Sequence, residues 1–151
     1  MALTTQTDYA LRTLMYLATR HGRATVADVA GLFGISVHHV AKVVNLLARN
    51  GYLRSVRGVG GGIELARRPE EIRIGEVIQC IEGGQHLLDC LGTPNVCTIQ
   101  SFCKLRGVLA EAERLQREYL SGVTLADVLP TPLQLDQAAK GAAPGPSSSA
   151  P

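Results

Sequence analysis

Large aromatic side chains are nearly missing from this chain: its 151 residues include two Phe, four Tyr and no Trp. Its interior must come from aliphatic groups, which suits helices packed on Leu, Val and Ala. Long apolar runs are also absent. None approaches the roughly 18 residues of a membrane span, so no partnership with a membrane is expected. The N-terminus, MALTTQTDYALRT, is polar where the apolar region of a secretory leader would begin. Together these absences predict a cytoplasmic protein whose four cysteines stay reduced. No nucleophile–base pair and no phosphate loop stands out, which argues against an enzyme.

From Ala138 the chain reads AAKGAAPGPSSSAP, without a bulky apolar side chain. Such a stretch buries too little surface to offset its ordering entropy. The expected ordered part stops near Leu135, with residues 137–151 a disordered tail. Charge divides the rest. Residues 1–75 hold ten Lys/Arg against five Asp/Glu, and residues 76–151 hold five against eight. A basic front and an acidic back fit a head that contacts DNA and a separate sensing or dimerising part.

The first helix is expected after Thr4 or Thr5, with Leu11, Leu14, Met15 and Ala18 on its buried face and His21-Gly22 at its end. Thr25 and Asp28, three apart, approximate a capping box for the next helix. Val26, Val29, Ala30 and Phe33 form that helix's inner side. Gly34 supplies a tight turn, and Ser36 caps VHHVAKVVNLLARN, which turns Val40, Val43, Val44 and Leu47 inward. Helix, glycine turn and second helix make a helix-turn-helix pattern. Two short strands, Leu53 to Val56 and Ile63 to Leu65, then flank Gly58-Val59-Gly60-Gly61-Gly62 as a hairpin wing. A dinucleotide loop is excluded there, because a strand and not a helix follows the glycines. The predicted fold is mainly α with a small β-hairpin wing. Residues 1–75 form the winged helix-turn-helix domain, 76–103 a connecting helix and cysteine loop, and 104–136 a long dimerisation helix and a short C-terminal one. In that long helix Leu105, Val108, Ala112, Leu115 and Tyr119 recur at alternating steps of three and four, the period of a seam between paired helices.

The candidate DNA-contacting residues are Thr25 and Ser36 at helix N-termini, His38, His39 and Lys42 at the start of the second helix, and Arg57 and Gly60 at the wing tip. An arginine among glycines can enter a narrow minor groove. Cys90, Cys97 and Cys103 are separated by gaps of six and five residues. Structural zinc favours paired C-x₂₋₄-C knuckles and four ligands, which this spacing lacks. Three thiolates on one loop can hold three irons of a cubane cluster and leave the fourth to another ligand. A zinc site and redox thiols remain alternatives. Cys80 stands apart as a small, partly buried hydrophobe. His86, Asp89 and Asp8 are the other possible fourth ligands, although Asp8 also suits a helix N-terminus and an ion pair with Arg12 at i+4.

The segments LTTQTDYALRTLMYLA and TVADVAGLFGISVHHVAKVVNLLARNGYLRSVRGVGGGIELAR, followed by three cysteines and a long helix, resemble the IscR/NsrR-type family of winged-helix regulators over about residues 1–130. CTIQSFCKLRGVLAEA and VTLADVL resemble its nitric-oxide-sensing branch. The resemblance implies a homodimeric repressor on a palindromic double-stranded operator. It implies one [4Fe-4S] cluster per subunit on Cys90, Cys97 and Cys103, or a [2Fe-2S] form after oxidation. Asp8 falls on the position where that branch draws its remaining ligand from the partner subunit, and nitric oxide is the implied effector. Another branch uses a histidine three residues past its last cysteine, where this chain has Arg106. A regulator with structural zinc or no metal, sensing a metabolite or redox state, is the alternative.

Overall fold

The structure, a computed structural model, describes residues 2–141. Helix α1 (Thr5–Arg20) is capped by Thr4, whose Oγ1 accepts the Thr7 N–H at 3.3 Å, and ends at His21 with φ 51°. Helix α2 (Val26–Phe33) starts with a reciprocal pair. The Asp28 N–H donates to Thr25 Oγ1 at 3.0 Å, and the Thr25 N–H donates to Asp28 Oδ2 at 2.8 Å. Bonds from Thr25, its backbone N–H foremost and its side chain second, hold the Asp28 carboxyl below its usual range. Gly34, at φ 63°, turns the chain into α3 (Val37–Arg49), which Ser36 caps. Leu14, Leu17, Val29, Val40, Val43 and Leu47 interlock beneath the three helices with almost no exposed surface.

The wing is the antiparallel pair β1 (Leu53–Val56) and β2 (Gly62–Leu65), with Leu53 opposite Leu65 and Val56 opposite Gly62. It does not hang free. The Ala24 N–H donates to Ile63 O at 3.0 Å and the Ile63 N–H returns to Ala24 O at 2.8 Å, stitching β2 to the residue before Thr25. A Cβ on Gly62 would meet the Ala24 carbonyl at 2.5 Å, and φ there is 149°, so this position requires glycine.

A 3₁₀ turn (Pro69–Glu71) leads to α4 (Ile74–Glu82), a single turn α5 (Asp89–Gly92), the long α6 (Lys104–Gly122), a second 3₁₀ turn (Leu125–Val128) and α7 (Pro132–Gly141). Gly75 lets α4 approach the end of α6: a Cβ there would stand 2.8 Å from Ser121 N. The Leu125 N–H donates to Ile72 O at 2.8 Å, and both side chains are fully buried.

Three expectations need correction. The inner face of α1 is wider than its aliphatic residues suggest, since Thr7, Thr13 and Thr19 are buried beside Ala10 and Leu17. Their hydroxyls are bonded to the Glu82 carboxylate, Tyr9 O and Pro130 O respectively, which removes the penalty of burial. Order also continues past Leu135 to Gly141, so residues 137–141 are not a disordered tail. Thr131 and Gln134 cap α7 reciprocally, Pro132 stands at its first position, and Leu135 is buried. Asp136 anchors the helix to Arg20 of α1 at 2.8 Å. The rest of the expected tail, residues 142–151, lies outside the described residues. Finally, the stretch before α6 holds one ordered turn, α5, which carries Cys90.

Candidate nucleic-acid interface and cysteine loop

The N-terminal end of α3 presents Ser36, Val37, His38, His39 and Lys42 on one exposed surface. The two histidines differ. Ser36 Oγ accepts the His39 N–H at 3.2 Å and lies 2.8 Å from His39 Nδ1, and the His39 ring rests 6.3 Å from that of Tyr9 on α1. His39 therefore braces the helix start, whereas His38 and Lys42 make no hydrogen bond among the described residues. Thr25 is exposed, but its oxygen already serves the cap of α2.

At the wing, Arg57 is exposed and unpaired among the described residues, and the neighbouring Val59 is fully exposed. Gly58 and Gly60 adopt φ 95° and 72°, the left-handed region that lets this tip fold back on itself. The base of the wing is held by residues the sequence pattern did not single out. Glu64 accepts from Arg23 Nε at 2.9 Å and from Arg54 Nε at 2.5 Å, and Arg23 Nη1 also donates to Gly60 O at 3.2 Å. The Arg23 and Arg54 bonds keep the Glu64 carboxyl below its usual range. Arg67 lies 4.6 Å from the centroid of the Tyr52 ring, and Arg68 pairs with Glu71 at 3.3 Å.

Cys90, Cys97 and Cys103 carry free thiols on the connection between α4 and α6, with Cys97 the most exposed. One glutamine organises this connection. Gln100 Nε2 donates to Cys90 O at 3.0 Å and to Thr93 O at 2.9 Å, while its Oε1 accepts the Val96 N–H at 3.1 Å. Arg106 Nε donates to Cys90 O at 2.9 Å and so ties α5 to the first turn of α6. Cys103 is the N-cap of α6 and makes no side-chain cap bond. Nothing in the sequence pattern marked Gln100, because its partners are backbone groups and not side chains.

Of the remaining ligand candidates, Asp8 and His86 are separately engaged, while the Asp89 carboxylate has no hydrogen bond among the described residues. Asp8 Oδ1 accepts from Arg12 Nε at 2.8 Å. His86 Nδ1 lies 2.9 Å from Glu113 Oε2, whose other oxygen accepts the Leu87 N–H. Burial works against the Glu113 charge, but these two bonds outweigh it and lower its carboxyl. Cys80 packs against the core on α4. Three soft thiols on one braced connection suit iron in their chemistry. Among the described residues, however, no three His, Cys, Asp or Glu side chains come together as a metal site within the chain.

Comparison with known proteins follows the same lines. The sequence profile of the Rrf2 family, described as iron-dependent transcriptional regulators, matches residues 3–131. The chain is 40% identical over 132 residues to the HTH-type transcriptional regulator NsrR of Geobacillus kaustophilus, covering 85% of this chain and 90% of that protein. Against the protein of the same name from Bacillus subtilis it is 39% identical over 132 residues, with the same two coverages. Among solved structures, T. potens IscR superposes with a TM-score of 0.68 at 26% identity, over 84% of this chain and 85% of that one. CymR, the global cysteine regulator of B. subtilis, shares the fold with a TM-score of 0.71 at 23% identity, over 85% and 95%.

Proposed function

The chain belongs to the Rrf2 family of transcriptional regulators, a DNA-binding and non-enzymatic class, and from that premise we propose that it is a cytoplasmic, homodimeric repressor gated by an iron–sulfur cluster. The observation that carries this reading is the connection bearing Cys90, Cys97 and Cys103, braced by Gln100 and Arg106, in a chain about 40% identical to NsrR proteins. The three thiolates would hold the cluster. The uncapped N-terminus of α6 beside Cys103 favours the negative charge of such a group. When bound, the cluster would supply one iron not held by these thiolates, at which a small diatomic could react, and the nitric-oxide-sensing resemblance makes nitric oxide the effector.

Asp8 of a second copy is the proposed remaining ligand. Its bond to Arg12 joins two side chains that are 42% and 45% exposed. An exposed pair of this kind contributes about 0–1 kcal/mol, so Asp8 can leave Arg12 at small cost. A path from Asp8 to the reading surface is short: the next residue, Tyr9, packs on His39, and His39 bonds to the Ser36 cap of α3. Displacing Asp8 would move the start of α1 and, through Tyr9, the first turn of α3. His38, Lys42, Thr25 and Ser36 would meet the operator on α2 and α3, and Arg57 and Gly60 from the wing.

The faces of α6 support a dimer. Leu105, Val108, Leu115 and Tyr119 are between 52% and 74% exposed in the single chain. A second face carries the Glu111–Arg114–Glu118 ion-pair network, which suits solvent. A third packs Leu120 on the body. Covering the apolar seam with a second copy gives an antiparallel or parallel helix pair and two reading heads, as a palindromic operator requires.

The test is iron and sulfide content after anaerobic reconstitution. Alanine at Cys90, Cys97 or Cys103 is expected to abolish loading, and alanine at Cys80 to preserve it. Full iron in Cys97→Ala would refute the ligand set.

A further inference from the structure

Between residues 2–3, α4, the loop after it and α6 lies a cavity of about 340 Å³ to which the DNA and cysteine readings assign no role. Its volume is at the small end of ligand sites, which pair an apolar lining with a few placed polar groups. Leu3, Ile78, Leu87 and Leu120 supply the apolar part, and Gln79, Glu82, Glu113, Gln116 and Arg117 the polar part.

The polar groups are not equally occupied. Glu113 uses both oxygens, on His86 and the Leu87 N–H. Glu82 uses only Oε1, which accepts from the Thr4 N–H at 2.8 Å, from Thr4 Oγ1 at 2.9 Å and from Thr7 Oγ1. Its Oε2 accepts nothing among the described residues. Arg117 is exposed and, like the Gln79 and Gln116 amides, makes no hydrogen bond there. One spare carboxylate oxygen and one spare guanidinium thus share an apolar cavity. A purely anionic ligand would face two carboxylates, and a purely cationic one would face Arg117. A zwitterion satisfies both. At 3.6 residues per turn, Glu113 and Leu120 lie roughly a third of a turn from the centre of the Leu105–Tyr119 seam and Gln116 about a sixth, so the cavity opens beside the seam and not within it.

We propose that this cavity binds an aliphatic α-amino acid. The ammonium donates to Glu82 Oε2, the carboxylate accepts from Arg117 and Gln116, and the side chain lies on Leu3, Ile78, Leu87 and Leu120. The ligand touches the carboxylate that holds the first turn of α1 and adjoins the one that holds the start of the cysteine connection. Its occupancy therefore bears on both the reading head and the cysteines, and its binding requires no metal.

The experiment is calorimetric titration of the full chain with L-valine, L-leucine, L-isoleucine and L-methionine. The controls are 4-methylpentanoate and 3-methylbutylamine, each lacking one charge of leucine. We expect at least one amino acid to bind saturably, one per chain, and both controls to bind about tenfold weaker or worse. Arg117→Ala should weaken binding by a similar factor, with Gln116→Ala as a milder second variant. Both positions are exposed, and the thermal unfolding of each variant should match the parent. Cys90→Ala should bind the amino acid as the parent does, even if the cluster reading fails. No binding by any of the four at millimolar concentration overturns the proposal. So does unchanged affinity in Arg117→Ala, or equal binding of 4-methylpentanoate.

Discussion

The front and back of this molecule are built to different degrees of completeness. In residues 2–75, three capped helices and a stitched wing enclose a core in which Leu14, Val29 and Val40 show no exposed surface. In α6, 19 residues long, no side chain is buried, and an apolar stripe faces solvent. Burial of apolar area is the main force that holds a fold. The head therefore has what it needs within one chain, and the long helix does not. A regulator divided in this way can keep its head folded while the back half changes partners or ligands.

The largest effect should come from breaking the head. Leu14→Ala removes a fully buried side chain and is expected to cost about 2–5 kcal/mol, read as a lower denaturant midpoint. Leu115→Ala on α6 should leave the unfolding of dilute monomer nearly unchanged, because that side chain is 52% exposed. A comparable loss at both positions would erase the contrast.

Leu115→Glu tests what covers the stripe. A charge at the centre of a helix seam is expected to convert dimer to monomer in sedimentation, with helix content retained. A parent that already sediments as a monomer at high micromolar concentration would remove the seam from consideration.

Arg57→Ala sharpens the division from the other side. The loss should be about 1–3 kcal/mol in operator affinity, measured by fluorescence anisotropy, with a weaker preference for A·T-rich flanks and no change in unfolding. Binding indifferent to Arg57 would make the wing tip an ornament of the hairpin.

The smallest effect concerns the join between the halves. The Thr7 hydroxyl, against the opposing effect of burial and helped by Thr4, holds the Glu82 carboxyl below its usual range. A lowered folded-state value means that the anchor contributes fully above the ordinary carboxylate range and is lost as pH falls through the folded value. Protection of the amides in the first turn of α1, taken relative to their intrinsic exchange rates, should therefore fall in the parent as pH drops below the ordinary carboxylate range. In Glu82→Gln that protection should be lower at neutral pH and nearly flat with acidification. A pH response that persists in Glu82→Gln would assign it to another group.

Local chemistry accounts for most of what was readable without coordinates. The Thr25–Asp28 box, the Gly34 turn, the Ser36 cap and the valine face of α3 each involve residues three or four apart, and each forms as the pattern predicts. The stripe on α6 was equally plain, since periodicity reports a face whatever covers it. The T-P-L-Q start of α7 carried a comparable signal, outweighed by the tail composition that follows. Other features join positions far apart in sequence and leave no pattern. Glu82 meets Thr4 and Thr7 across more than seventy residues, Ala24 meets Ile63, and Glu64 gathers Arg23 and Arg54.

By itself the sequence determined the helix-turn-helix, the wing, the apolar stripe on α6 and the spacing of the three cysteines, because these depend on backbone propensity, side-chain period and order within short windows. Only the tertiary structure decided that His39 braces α3 and that Gln100 and Arg106 hold the carbonyl of Cys90. It also decided that a cavity opens beside the anchor of α1. Those outcomes rest on which distant groups are brought within 3 Å of one another, and hydrogen-bond geometry at that range follows from packing and not from order along the chain.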